Sequence, residues 1–354
     1  MSTSASSSSA SMPTLRAAGI DTRRFSSEPL LLRLDVATHA FYQGLADSRD
    51  RKMMELAAST ANVNVLTRPA GKKEFKKYNQ PGEDETTRNV RLKYQLREDN
   101  LAQMGAFDPQ WGLRWLFSYV ALTDMPGIGS DGAGRFVDLV ERWLEALAAA
   151  GIHEIADELP GLRQTIAAAR DELPCALSVS EKLPGRFNAA CSLLFAGALR
   201  TTYVDAHQPR WVLRLRARDG APGTAAAAAL PEGLGHEGAA PMSVADAQEY
   251  VSGIVAPDAR CTSSGAVDLR VKGIGPAAED SGLAQVRVRV FDRQAMEDKG
   301  DELVLRLEHD AAAELRVGFV IEATLHALDG DVHYIDLVTL VWPSYAPLDF
   351  VDLF

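Results

Sequence analysis

Hydrophobic and polar positions change period once along this chain, close to residue 200. Before that point apolar residues recur every three or four positions, the spacing of a helix face. Beyond it they alternate, the spacing of a half-buried strand. Phe136, Leu139, Val140, Trp143, Leu144 and Leu147 make the sharpest helical stripe, closed by Gly151 where a helix C-cap belongs. Asp108-Pro109 opens another helix: the aspartate caps, and proline at the first position forfeits no intrahelical hydrogen bond. The run from Trp111 to Leu122 is apolar nearly throughout and predicts a central core helix ending before Pro126. Helices are also expected from Arg51 to Ala61, His153 to Leu159 and Leu162 to Leu173, the last two separated by a proline. From Pro29 to Tyr42 the chain is apolar, but period alone does not separate helix from extended structure.

The change of period is made at Lys182 to Arg200. Pro184-Gly185 breaks what precedes it, and Phe187, Ala190, Cys191, Leu194 and Ala198 then fall on one helical stripe. Leu193 and Phe195 widen that stripe, leaving Asn188 and Ser192 as its polar positions. After a short helix near Val244 to Ile254, strands are expected around Val267-Leu269-Val271, Val286-Val288-Val290 and Leu303 to Leu307, with an earlier one at Trp211 to Leu215. Arg287, Arg289 and Asp292 mark an outward polar side, typical of an antiparallel sheet. Leu315 to Leu328 and Val332 to Trp342 flank Asp329-Gly330, the favoured pair for a two-residue hairpin turn. That turn sets Leu328 against Asp331 and His326 against His333. The fold class is therefore α+β: a helical N-terminal half (29–200) packed on a largely antiparallel β-sheet C-terminal half (201–354) that ends in a long hairpin. A Ser-rich tail (1–28) and a low-complexity Gly/Ala/Pro insertion (219–241) lie outside what reads as one composite domain.

With 354 residues, 46% of them apolar, the chain can bury a sizeable core. Its net charge of −11 argues against a surface built entirely for nucleic acid. The local exception is the stretch 71–97, where Lys72, Lys73, Lys76, Lys77, Arg91 and Lys93 stand among Phe75, Tyr78 and Tyr94. Lysines beside aromatics suit a single-stranded nucleic-acid backbone and its bases; they equally suit a protein partner or a solvated loop cut by Glu83, Asp84 and Glu85. No run of about 18 apolar residues suggests a membrane span. The N-terminal composition is shared by disordered intracellular tails and mitochondrial transit peptides, and a disordered tail is expected. Cys175, Cys191 and Cys261 show neither metal spacing nor a disulfide framework, which fits a reducing compartment.

Candidate chemistry is sparse. Gly127 to Gly132 spells G-x-G-x-x-G, but it follows a helix rather than a strand and is expected to be an interhelical loop. His326 and His333 facing each other would supply half of a zinc site, with no third ligand specified; solvent-exposed histidines near a hairpin tip are expected. No spacing ties Ser, His, Asp or Cys residues into a catalytic constellation. The residues themselves thus point to an intracellular interaction protein with no catalytic, metal or cofactor site.

Three blocks then carry a family resemblance. They are Phe117 to Pro126, then Leu183-Pro184-Gly185-Arg186-Phe187-Asn188-Ala189-Ala190-Cys191 closing on Gly197, then Leu315 to Leu325 with Gly318 and Glu322, followed by Asp336 and Ser344-Tyr345. In this order they resemble the fungal family of the Argonaute-binding subunit of the Argonaute siRNA chaperone (ARC) complex. The first block lacks the family's usual Cys, and its acid-to-proline junction is short. The resemblance implies a non-enzymatic, cofactor-free partner of Argonaute acting in RNA interference in nucleus and cytoplasm. It also implies that a second ARC subunit binds and that duplex siRNA is held through Argonaute rather than directly. Restraint of passenger-strand release and support of heterochromatin formation follow from the same likeness. Direct RNA binding through 71–97 is the rival reading.

Overall fold

The computed structural model describes residues 30–60, 107–124, 128–195, 242–277 and 281–348. They divide into two compact units, one reaching to Pro174 and including the residues from Tyr345 on, the other Cys175 to Ser344.

The first unit is helical. Helices α1 (Leu30–Gly44) and α2 (Ser48–Thr60) are followed by α3 (Pro109–Trp115), α4 (Gly129–Ala149) and the start of α5 (His153–Lys182). Asp108 caps α3 as its position suggests, accepting from the Trp111 backbone N–H at 2.9 Å. The expected single helix to Leu122 instead widens into a π-helix over Leu116–Asp124. Ser118 and Thr123 donate their hydroxyls to the carbonyls of Arg114 and Tyr119, four residues back, and so compete with the regular ladder. The buried side chains Leu116, Phe117, Val120 and Ala121 hold that segment in place.

Helix α4 buries the whole predicted stripe and ends in a Schellman motif. Gly151 has φ +87°, its N–H donates to Ala148, and the Ile152 N–H donates to Leu147. The second half of the G-x-G-x-x-G string, Gly129 to Gly132, is the first turn of α4 rather than a loop. Buried Asp50 accepts from Arg135 at 2.7 Å and Arg142 at 2.8 Å, tying α2 to α4.

Helix α5 corrects another expectation. It runs unbroken for 30 residues with Pro160 and Pro174 inside it, where two shorter helices were expected. Leu162, Ile166, Ala169, Leu173, Ala176 and Val179 are all buried on one continuous stripe. Burial of that many side chains offsets the hydrogen bonds the two prolines remove.

In the second unit, α6 (Gly185–Leu194) and α7 (Val244–Val251) lie with five strands: β1 (Cys261–Ala277), β2 (Leu283–Asp292), β3 (Glu297–Glu308), β4 (Val320–Leu328) and β5 (Val332–Trp342). The sheet closes on itself in the order β1-β2-β3-β5-β4. Every pairing is antiparallel except a single parallel contact, Leu305 with His333, between β3 and β5. The α+β class and the terminal hairpin therefore stand. Val286 and Val288 point inward as expected, but a bulge between Val288 and Val290 shifts the register, and Phe291 becomes the next buried residue.

The hairpin register differs from expectation. Leu328 pairs with Val332, so three residues make the connection, with positive φ at Gly330 and Asp331. This places buried Leu328 and Val332 in the core shared with Phe187, Cys191 and Tyr334; a two-residue turn would set Leu328 against a charged aspartate. His326 consequently faces Tyr334, and Ala327 faces His333. The expected strand at Trp211 to Leu215 and the insertion 219–241 lie outside the described residues.

Candidate functional site

The segment Leu183 to Leu194 is joined to the barrel by polar side chains that the sequence pattern marks only as gaps in a stripe. The Leu183–Pro184 peptide is cis, and Gly185 follows with φ +80°. A side chain at Gly185 would collide with the Glu308 carboxylate, so glycine is required both by backbone conformation and by space. Glu308 uses that space: its Oε1 accepts from the Phe187 backbone N–H at 2.7 Å and from the Tyr250 hydroxyl at 3.4 Å. Burial pushes the Glu308 carboxyl up from its ordinary value.

Asn188 is fully buried and bonded on both ends of its amide. Its Nδ2 donates to the carbonyls of Pro184 at 2.8 Å and Arg306 at 3.0 Å, and its Oδ1 accepts from the Ile335 N–H at 3.0 Å. One side chain thus stitches the start of α6 to β3 and β5. A turn later Ser192 donates to Asp336 Oδ2 at 2.9 Å. The other oxygen of Asp336 lies 3.0 Å from His326 Nε2, and the imidazole stacks on Tyr334 at 4.6 Å between ring centres. Asp336 and His326 are 0% and 3% exposed, so His326 is a buried member of a network rather than the solvated hairpin histidine expected.

Apolar packing completes the joint. Phe187, Ala190 and Cys191 meet Ala247 and Val251 of α7, whose start is fixed by a capping box between Ser243 and Asp246. The Cys191 thiol, pushed up to about 12 by burial, behaves as a small apolar group and is unreactive. Beside this joint lies a cavity of about 850 Å³. Leu194 and Phe195 of the segment line it together with Val251, Val255, Pro257 and Cys261.

The other singled-out positions fall in two places. Gly318, at φ +98°, approaches Ser344 so closely that a Cβ there would sit 3.0 Å from the serine's own. Glu322 accepts from Arg293 at 2.7 Å, and Arg293 also binds Asp268. Burial alone would raise the Glu322 carboxyl; Arg293 together with hydrogen bonds from Thr339 and Trp342 outweighs it and holds the group below its ordinary range. The structure therefore brings Leu183, Pro184, Gly185, Phe187, Asn188, Cys191 and Asp336 to one joint, and Gly318 with Ser344 to another contact. Glu322 stands in the Arg293 ion-pair cluster. Gly197, Lys72, Lys73, Lys76, Lys77, Arg91 and Lys93 lie outside the described residues.

Sequence reasoning missed Ser192, His326, Glu308 and Cys261 as members of this site. A polar residue one turn after Asn188 on an otherwise apolar helix was the available signal for Ser192. Among the described residues no group of His, Cys, Asp and Glu has the makings of a metal site.

Comparison with curated proteins and with solved structures gives no match. A family model does match, over residues 118–272, somewhat under half of the chain. The match begins inside the block Phe117 to Pro126, contains the whole joint segment Leu183 to Gly197, and stops before Leu315. Over that stretch the chain is similar to the family of the Argonaute siRNA chaperone (ARC) complex subunit Arb1, in agreement with the resemblance carried by the three sequence blocks.

Proposed function

We propose that this chain is the Argonaute-binding subunit of its complex, and that it is not catalytic toward RNA. The family match over residues 118–272 supports a role in the ARC complex. The finer reading is that the protein holds Argonaute while duplex siRNA is bound and restrains release of the passenger strand. In doing so, in nucleus and cytoplasm, it supports RNAi-dependent heterochromatin formation together with a second ARC subunit. One observation carries this reading: the matched stretch contains the segment 183–197, whose described side chains are bonded into the barrel through Asn188, Ser192 and Asp336. A net charge of −11 adds support, because a protein that holds RNA is basic and opposite surfaces steer association.

Affinity purification of the tagged protein from its own host tests the reading. Argonaute and its small RNA should be recovered together with a second protein, and RNase treatment should leave the Argonaute contact intact. Recovery of RNA alone, lost when Lys72, Lys73, Lys76 and Lys77 become Glu, would instead establish direct RNA binding through 71–97.

A further inference from the structure

Cys261 lines the cavity, and with the buried His326 and Asp336 it makes a line of three side chains that the proposed role does not use. Cys261 begins β1, and its Sγ lies 4.0 Å from Nδ1 of His326. On the far side of the ring, Nε2 is 3.0 Å from Asp336 Oδ1. The imidazole therefore separates a thiol from a carboxylate, the arrangement of nucleophile, base and orienting acid. With Nε2–H donated to Asp336, Nδ1 keeps its lone pair for the thiol proton, which the sulfur otherwise donates to the Ser263 carbonyl at 3.3 Å. Tyr334 stacked within 7° of the ring plane and Ser192 bonded to the second carboxylate oxygen hold both groups in place. Cys261 is half-buried and lines the cavity, so a molecule in the cavity can reach it.

The walls define what would sit there. Leu194, Phe195, Val251, Val255 and Pro257 form an apolar side, while Gln248, Ser252, Asp258 and Arg260 make the rest of the lining polar. We propose that Cys261 is a nucleophilic thiol, activated by His326 and Asp336, that accepts an apolar acyl group from an activated ester or thioester. In this step His326 Nδ1 takes the thiol proton, and the sulfur forms a bond to the acyl carbonyl carbon. The carbon's bond to the leaving alcohol or thiol breaks, and that group departs with the proton held by the imidazolium. The product is S-acylated Cys261 with its chain in the cavity. The step is stoichiometric and independent of the role toward Argonaute. The other two cysteines differ in kind: Cys191 is fully buried, and Cys175 touches the Arg316 guanidinium at 3.3 Å rather than an imidazole.

The test uses the full chain with p-nitrophenyl octanoate and p-nitrophenyl acetate, following nitrophenolate release and mapping the acylated peptide by mass. The expected result is one octanoyl group per chain, on Cys261, with the octanoyl ester preferred over the acetyl ester relative to free glutathione. Cys261→Ser should abolish labelling, and His326→Gln should slow it by about 10²-fold. Because His326→Gln disturbs a buried network, iodoacetamide labelling of the unaltered protein gives a second reading: Cys261 should outrun glutathione at pH 7. Octanoyl on Cys175 or on lysines, or Cys261 reacting no faster than glutathione, would overturn the proposal.

Discussion

Asn188 shows how much one buried amide contributes at this joint. Replacing it by Ala leaves the Ile335 N–H and the Arg306 carbonyl without their partner in a dry environment. The expected loss is roughly 2–4 kcal/mol, read from urea denaturation midpoints, since each orphaned group costs about 1–3. Gly185→Ala should cost more than about 1 kcal/mol, because Ala must adopt a positive φ and displace the Glu308 carboxylate. Glu308 itself predicts a pH dependence of unusual sign. Its folded-state carboxyl titrates above the ordinary value of 4.5, so between the two values the folded state binds more protons than the unfolded one. This contribution to stability is therefore present below pH 4.5 and is lost as pH rises through the folded value. Glu308→Gln keeps an acceptor for Phe187 and removes the charge; its stability relative to wild type should increase across that window. A gap between the two proteins that stays constant from pH 4 to 8 would show that Glu308 does not titrate in this way.

At the scale of elements, most of the architecture was legible in the sequence, and the exceptions have specific causes. The stripe of α4 and its glycine cap could be read because the helix is amphipathic and its stop is a local backbone requirement. Helix α5 was read as two because proline is a local breaker, whereas the stripe from Leu162 to Val179 that overrides it depends on what the helix is buried against. Pro160 is exposed, so Pro160→Ala restores a backbone hydrogen bond without loss of packing. It should raise stability by about 1–3 kcal/mol in thermal or chemical denaturation. A destabilised Pro160→Ala protein would mean that the helix requires its proline.

Among the described residues the strands lie near where alternation puts them, except that β4 begins at Val320 rather than Leu315, but their registers differ from expectation. Bulges such as the one between Glu322 and Thr324 have no signature in alternation, and Leu337, with φ +46°, sits opposite that irregularity. The contact of His326 with Asp336 was missed for a different reason, the three-residue turn that sets His326 opposite Tyr334, and Cys261 reaches the histidine beside a second shift in β1, between Cys261 and Ser263. The segment Leu183 to Leu194 was recognisable as central because it combines a helical stripe with a Pro-Gly break. Its polar residues read only as gaps in that stripe, because their partners, Arg306, Ile335 and Asp336, lie more than a hundred positions away.

For the whole molecule, the proposed function is association with Argonaute rather than with free RNA, and the net charge of −11 is in keeping with it. The isolated protein should bind short RNA weakly at physiological salt, and the change of Lys72, Lys73, Lys76 and Lys77 to Glu should alter that little; filter binding across a salt series checks it. A subunit that restrains passenger-strand release must bind Argonaute carrying duplex RNA better than Argonaute carrying a single strand, because a partner shifts an equilibrium only by its difference in affinity. The direct measurement is passenger-strand retention by purified, duplex-loaded Argonaute as this protein is titrated in. Retention should rise with added protein and level off at saturation, without cleavage of RNA by the protein itself. Unchanged retention at saturating protein that still binds Argonaute would contradict the restraining role.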